Sequence, residues 1–396
     1  MAAPVGLPPP VGDRAAGGEG PPATQLRPGL RREAYLDEGV FRHELVSVFA
    51  RSWCCAARSA HLAAPGSQLV AAVAGESVLV VRQADGGLRA FRNLCRHRGA
   101  RLCLEPSPQP ARVIRCPYHA WTYGLDGRLL AAPNARELPP LETLDRGLLD
   151  VEVEEWAGYA WVRLEAGTTS LAEEIEPQLL DRFGDPATFD RYGIERLAVG
   201  HEITYDVAAN WKSIVENFME CYHCAPLHPE LTAAIPEFRS GYGSVSGGVG
   251  RGARLGPDVE AFSASHRASR PRLRTLNDTD DRLFYGVILL PNVLAVLVPD
   301  HVAFFRIEPL GPGRSKVRVE WLFEPEAVAD PAFDPSEAVS LLDTTNLQDF
   351  SACERCQLGA ASTAFDPVLV PAEHVMETFH GWVATRCSPG PAPGPY

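Results

Sequence analysis

In residues 210–231, NWKSIVENFMECYHCAPLHPEL, apolar side chains fall at Trp211, Ile214, Val215, Phe218 and Tyr222. Steps of three and four between them predict a helix with one buried stripe. Each helical residue turns by about 100°, which puts Ser213, Glu216, Glu220 and His223 on the opposite side. Pro226 is expected to stop this helix. Similar spacing predicts helices in residues 34–53, in LAEEIEPQLLDRF within 171–194, in 335–360 and in 372–386. The first of these is expected to pack on a later domain.

From residue 68 to about 164 the pattern changes to short strands. QLVAAVAGESVLVVRQ reads as two strands around Gly75, and LLDVEVEEWAGYAWVRL as two more. Asp85-Gly86-Gly87 and Asp126-Gly127 are hairpin signals. These features predict a small antiparallel module. GHEITYDVA at 200–208 alternates like a strand, and residues 283–324 hold three or four strands. The Pro-, Gly- and Ala-rich start and the final SPGPAPGPY read as loose tails. Residues 235–281, rich in Gly, Ser and Arg, are too long for an ordinary connection and are expected to form a flexible segment over the active site. The expected domains are a tail at 1–33, a first domain at 34–165, a second at 166–387 and a tail at 388–396.

Composition narrows the class. At 396 residues with 45% apolar content, two cores can be filled. The net charge of −13 argues against nucleic acid or an anionic membrane surface as partner. No stretch approaches the roughly 18 apolar residues of a membrane span. The start, MAAPVGLPPPVGDR, is broken by prolines and lacks a signal-peptide core. Ten cysteines at irregular spacing do not read as a secreted disulfide framework. A soluble cytoplasmic protein is expected, with its cysteines reduced or metal-bound.

Two motifs carry chemistry. Cys95-x-His97 is followed after eighteen residues by Cys116-x2-His119. Two Cys/His pairs can hold one metal centre, and zinc uses the same ligand types. A Rieske [2Fe–2S] cluster fits better, with two Cys on one iron and two His on the other. The motif resembles the Rieske pattern in the Arg-Gly after His97 and the Pro-Tyr before His119. Its intervening stretch is longer than usual, and Pro106 to Pro110 are expected to absorb the excess in a surface loop. Ala120 stands where the pattern more often has Gly. Respiratory Rieske proteins carry an extra Cys in each loop; here Cys103 has no partner between Cys116 and Tyr123. That implies a lower reduction potential, of the type that feeds an oxygenase.

A cluster passes single electrons and needs an acceptor nearby. His223 and His228 supply two imidazoles, and a 2-His-1-carboxylate triad needs one acid. Asp349 is the candidate, with Asp343 and Glu354 as rivals that spacing leaves open.

With these motifs the chain resembles the oxygenase (alpha) subunits of Rieske non-heme iron ring-hydroxylating oxygenases, from about residue 40 to 386. The resemblance implies an α+β fold: a small antiparallel β Rieske domain plus a helix-grip catalytic domain with an antiparallel sheet and helices. By motif match it assigns mononuclear Fe(II) to His223, His228 and Asp349. It makes Glu220 the link between a cluster His of one subunit and an iron-ligand His of the next, which implies a homotrimer. Asn210, just before the helix, is carried over as a candidate catalytic residue. NAD(P)H and FAD or FMN enter through a separate flavin/iron–sulfur reductase or a ferredoxin, because the chain shows no nucleotide-binding glycine motif of its own. The wording ENFMECYHC is most similar to the branch acting on glycine betaine, proline betaine, carnitine or choline. That branch implies O2-dependent hydroxylation or N-demethylation by a monooxygenase, with an aromatic-ring-hydroxylating dioxygenase as the alternative. Tyr285, Phe304, Phe305, Trp321 and Phe323 are the strand aromatics that could cage a cation. Cys221, Cys224, Cys353 and Cys356 read as buried reduced thiols. His301, His374 and His380 read as structural.

Overall fold

The computed structural model describes residues 26–104, 110–133, 139–243 and 249–388. Outside them lie residues 1–25 and 389–396 of the two expected tails, residues 106–109 of the proline loop and residues 244–248 of the Gly-rich stretch. Two compact units divide the chain. One is Phe49–Leu171, and the other joins the chain up to Val48 with Ala172 onward. Residues 34–48 therefore belong with the second unit and not with the first domain as expected. Among the described residues no helix is long and apolar enough to cross a membrane.

In the first unit the strand segments pair as read. Strands β1 (Cys54–Arg58), β2 (Gln68–Val73), β3 (Glu76–Arg82) and β4 (Leu88–Arg92) come first. Short strands β5 (Ile114–Arg115), β6 (Thr122–Tyr123) and β7 (Leu129–Ala131) follow, then β8 (Asp150–Trp156) and β9 (Tyr159–Arg163). The larger antiparallel sheet runs β1-β9-β8-β4-β3-β2, and the smaller runs β5-β6-β7. Leu79, Val81 and Phe91 from one sheet meet Ile114, Tyr123 and Leu129 from the other in one buried cluster, which also takes in Cys95 and Cys116.

The loops after β4 and β5 follow one backbone plan. Gly99 N–H donates to the Cys95 carbonyl at 2.9 Å, and Ala120 N–H to the Cys116 carbonyl at 3.1 Å. Cys95 N–H reaches Ala100, and Cys116 N–H reaches Trp121, both at 2.8 Å. The fourth residue after each Cys has a positive φ, +70° at Gly99 and +57° at Ala120. Glycine adopts this without penalty, whereas an L side chain there costs roughly 1 kcal/mol. The Gly-to-Ala departure thus falls on a position where the backbone prefers glycine.

In the second unit, strands β10 (Ala198–Val207), β11 (Ala253–Arg254), β12 (Leu283–Leu289), β13 (Val293–Val298), β14 (His301–Gly311) and β15 (Arg314–Phe323) form one antiparallel sheet. Its order is β10-β15-β14-β13-β12-β11. The helices used below are α1 (Glu38–Glu44), α2 (Leu171–Phe183), α3 (Trp211–Met219), α4 (Pro229–Ala234), α5 (Ser336–Ala360) and α6 (Val375–Cys387). Helix α3 packs against α5, α6, β12 and β14. Both of its faces are covered: Trp211 and Lys212 are fully buried, and Ser213 is 8% exposed. Residues 211–215 are buried all round, and Glu216 to Met219 are half-buried, so the polar side is not a solvated face.

Asn210 caps α3. Its side-chain oxygen accepts from Lys212 N–H at 3.0 Å, and its amide donates to the Pro312 carbonyl at 2.7 Å. Behind the cap, Lys212 Nζ lies 2.6 and 2.8 Å from the two carboxylate oxygens of Glu44 on α1, and Trp211 Nε1 donates to the same carboxylate at 2.9 Å. Burial pulls the Lys212 ammonium below its ordinary pKa, and Glu44 opposes that shift. This pair explains why residues 34–48 join the second unit.

The Gly-rich stretch is more ordered than expected where it is described. Ala253–Arg254 adds a strand to the sheet, and Phe262 is fully buried. Asp280, also fully buried, pairs with the Arg191 guanidinium at 2.8 and 2.7 Å.

Two stability effects are expected. Lys212→Met leaves a buried carboxylate short of its cation and should cost about 3–5 kcal/mol in chemical denaturation, while adding Glu44→Leu should recover most of it. No loss in the single variant would show that the pair is not desolvated. Ala120→Gly should stabilise the first unit by about 1 kcal/mol, read as a rise in its thermal midpoint. An unchanged midpoint would show that the left-handed geometry is not populated.

Candidate metal centres

Both Cys95 and Cys116 sit inside the apolar cluster, 1% and 2% exposed. His97 and His119 lie outside it and are exposed, with ring centroids 4.8 Å apart. The sulfurs thus face the core and the imidazoles face solvent. Two buried sulfurs and two exposed imidazoles suit a cluster with two Cys on one iron and two His on the other.

Two neighbours of this set had no role in the sequence reading. Tyr123 Oη lies 3.2 Å from Cys95 Sγ and accepts from Arg96 N–H at 3.0 Å. Burial, and next the hydrogen bond to Cys95, hold the phenol protonated well above its usual range. A hydroxyl at that distance from a candidate ligand sulfur is one of the levers on a cluster's potential. The Trp121 ring stacks on His97 at 4.9 Å and 8°. Both residues stand in the quoted CPYHAWTY, but nothing in their spacing showed where they point.

The second centre is built around the end of α3. The helix stops at Met219, earlier than Pro226, and Glu220 is extended at φ −123°, ψ 168°. The Glu220 carboxylate accepts the Tyr222 backbone N–H, so a side chain takes the place of a helical carbonyl. Tyr222 leaves the expected stripe and is 56% exposed. Glu220 and His223 therefore meet across a turn and not along a helix face, and the Glu220 carboxylate contacts His223 Nδ1 directly. One helical turn, Cys224–Leu227, then leads to His228, and Pro229 opens α4.

His223 and His228 direct their Nε2 atoms at one oxygen of Asp349 on α5, at 3.1 and 2.8 Å. The far side of each ring is held by an acceptor: Glu220 at His223 Nδ1, and Gln348 Oε1 at His228 Nδ1, 2.6 Å away. Acceptors there fix the tautomer that leaves Nε2 free to ligate. Burial disfavours charge on His223, but hydrogen bonds to Asp349 and Glu220 outweigh it and raise its pKa to about 10, so a cation at Nε2 must displace a proton. Burial pushes the Asp349 carboxyl up, and hydrogen bonds from both imidazoles bring it below its ordinary value. A point held between an ionised carboxylate and two oriented imidazoles suits a divalent cation. Two nitrogens and one oxygen leave positions open, as ferrous oxygenase sites require.

The rival acids are engaged elsewhere. Asp343 accepts from Tyr205 Oη at 2.6 Å, and Glu354 accepts from Ala208 N–H at 3.0 Å. His301 is fully buried beside Asp300, and His380 binds Glu216 at 2.8 Å. Gln348 was missed; its only sequence signal is its place next to Asp349.

The triad lines a cavity of about 570 Å³, counting its open mouth. Phe218, Phe238 and Phe284 line it too, with Asn217, Thr345 and Asn346. The five strand aromatics that could have caged a cation are absent from the lining and are ordinary core aromatics. They are 8% exposed or less and fill the sheet's packing, where Phe305 backs Phe218 at 6.0 Å. Asn210 is also outside the lining. Cys221 and Cys224 differ from expectation in being joined as a disulfide. The early helix end permits this, because the turn brings their Cα atoms to 4.9 Å. Cys353 is buried and free as read, but Cys356 is exposed.

Residues 52–144 match the Rieske [2Fe–2S] domain family, and residues 194–389 match the ring hydroxylating alpha subunit (catalytic domain) family. The glycine betaine monooxygenase oxygenase subunit of Chromohalobacter salexigens is 31% identical over 374 residues, 85% of this chain and 80% of that protein. The carnitine monooxygenase oxygenase subunit of Acinetobacter pittii is 36% identical over 201 residues, which is only about half of each protein, 51% of this chain and 53% of the relative. The crystal structure of the quaternary ammonium Rieske monooxygenase CntA with gamma-butyrobetaine shares the fold, with a TM-score of 0.70 at 24% identity over 93% of this chain and 97% of that one. With both domains matched in this order and the likeness to one relative running most of its length, the chain belongs to the Rieske non-heme iron oxygenases, among their alpha (oxygenase) subunits.

Proposed function

We propose that this chain is the terminal oxygenase of a monooxygenase that hydroxylates, and thereby N-demethylates, a small quaternary ammonium substrate. The observation that carries this reading is the convergence of His223 Nε2, His228 Nε2 and a carboxylate oxygen of Asp349 on a cavity lined by Phe218, Phe238 and Phe284. Phenyl faces attract a cation that has no proton to donate, by about 0.5–2 kcal/mol per good contact. Relatives named for carnitine, glycine betaine and choline support the same class.

In this reading Cys95 and Cys116 hold one iron of the cluster, and His97 and His119 the other. His223, His228 and Asp349 hold the mononuclear iron, with Glu220 and Gln348 keeping the imidazoles oriented. When bound, the cluster delivers single electrons and the ferrous centre activates O2 for insertion into a C–H bond. The protein's part is positioning. The phenyl walls hold the ammonium head so that one methyl carbon faces the triad, and they keep bulk water from it. A hydroxyl placed on an N-methyl carbon makes a hemiaminal, which collapses to formaldehyde and the demethylated amine.

Glu220 couples the two centres. Its carboxylate already accepts from His223 and from the Tyr222 backbone. Two oxygens carry about four lone-pair sites, so it can accept one further imidazole N–H, from a cluster histidine of a neighbouring subunit in a head-to-tail trimer. Electrons come from NAD(P)H through a separate flavin/iron–sulfur reductase or ferredoxin. A cytoplasmic setting goes with that supply.

The first test is turnover of betaines, choline and arenes by the iron-reconstituted protein with a surrogate reductase, reading formaldehyde and product mass. Formaldehyde from a quaternary ammonium substrate is expected, and its loss in Asp349→Ala together with one of three irons per chain. A cis-diol from an arene would replace this reading with the dioxygenase one, and turnover surviving in Asp349→Ala would remove Asp349 from the ligands. Glu220→Gln keeps the shape but weakens the acceptor. It should lower turnover about 10–100-fold while the cluster spectrum and iron content stay unchanged. Full turnover in that variant would leave Glu220 without a coupling role.

A further inference from the structure

The turn that carries His223 is closed by two cysteines. Cys221 and Cys224 bracket it in sequence, are 4% and 2% exposed, and both line the cavity beside His228 and Asp349. Their sulfurs are bonded, whereas the other eight cysteines are free. The pair sits between the two ligand-bearing segments. Cys224 N–H donates to the Cys221 carbonyl at 3.0 Å, and the Cys224 carbonyl accepts the His228 backbone N–H at 2.9 Å. On the other side Gly243 lies so close that an added Cβ would stand 3.0 Å from Cys221 Cβ.

We propose that Cys221 and Cys224 are a peroxide-responsive dithiol–disulfide pair, whose oxidised form holds the His223 turn in its metal-ligating geometry. The second half of this proposal rests on the reading of His223, His228 and Asp349 as an iron site. Three features point to it. The two residues between the cysteines make thiol–thiol encounter intramolecular, so little chain entropy opposes closure. The bonded state coincides with His223 Nε2 at 3.1 Å from the Asp349 carboxylate, so oxidation is compatible with ligation. The pair is reached through the cavity, which restricts it to small oxidants.

Hydrogen peroxide is such an oxidant, and it is the two-electron reduction product of O2 when no C–H bond is hydroxylated. One cysteine, as thiolate, attacks a peroxide oxygen. The O–O bond breaks, a sulfenic acid forms and the released hydroxide takes a proton to leave as water. The second thiol attacks that sulfur, the S–O bond breaks, the S–S bond forms and a second water departs. In total two thiols and one H2O2 give one disulfide and two waters, with two electrons passing from sulfur to oxygen. A small dithiol reverses the reaction by exchange. Reduction leaves residues 220–224 free to rearrange, and both Glu220 and His223 lie there.

The test uses the full chain with its cluster in place and the mononuclear site empty. One equivalent of H2O2 is added, excess is removed, and differential alkylation with peptide mass reads Cys221 and Cys224. Loss of two hydrogens and of alkylation at both is expected, reversed by dithiothreitol and absent in Cys221→Ser/Cys224→Ser. Oxidised and reduced samples are then loaded with Fe(II), and its release to a chelator is timed. The oxidised protein should release iron about tenfold more slowly, with the reduced protein and the double serine variant alike. Alkylation of both thiols after peroxide would overturn the redox pair. Equal release rates in the two states would overturn its coupling to the turn. If neither state retains mononuclear iron, the iron-site reading fails and the coupling with it, while the alkylation result still decides the thiol chemistry.

Discussion

A single carboxylate decides where helix α3 ends, and the iron-site geometry depends on that ending. Apolar periodicity continues to Tyr222, and left to itself the helix would place His223 on a regular turn. Glu220 instead accepts the Tyr222 backbone N–H, turns the chain outward and takes hold of the His223 ring. His223, the first candidate ligand, is thus oriented by the same group that interrupts the helix. His228 is oriented from α5 by Gln348, which neighbours Asp349, the candidate carboxylate. Each imidazole is held on the side away from Asp349 by an acceptor on its own segment or on the helix it faces.

Burial of the first half of α3 makes that arrangement possible. Glu44 and Lys212 lie near its start. Glu216, one turn before Glu220, accepts from Tyr35 at 2.8 and 3.0 Å and from His380 at 2.8 Å. These charged and polar groups are taken from water and paired with partners far away in sequence. Such pairs add little net stability over apolar packing but are costly to break, so they favour one register over its neighbours.

Strands β2, β3, β8 and β9 were legible as short runs rich in apolar and β-branched residues, bounded by turn signals such as Gly75 and Asp85-Gly86-Gly87. Candidate ligands could be named because metal chemistry restricts residue type and spacing, and of them the structure brings His223, His228 and Asp349 together. Three kinds of feature were not legible. The end of α3 depends on one side-chain hydrogen bond, which no periodicity records. The cavity walls, Phe238 and Phe284, come from a short helical turn beyond α4 and from β12; which strand aromatics face the cavity depends on the twist and register of the sheet. The fate of residues 34–48 depends on a buried ion pair whose halves are far apart in the chain. The segment at residues 235–281 was read from composition as a cover over the site; in it Phe238 and Gly243 line the cavity, while Phe262 and Asp280 are fully buried.

The second unit is discontinuous: its first segment ends at Val48 and its remainder starts at Ala172, with the whole of the first unit threaded between them. A ribosome therefore completes Phe49–Leu171 while most of the second unit is still unmade. Domains generally fold as units, the earlier ones first, during synthesis. The segment bearing Glu44 must wait, its carboxylate unmatched, until Trp211 and Lys212 emerge. Maturation then has a built-in order, in which the electron-carrying centre can acquire its cluster before the oxygen-binding centre has a place to form.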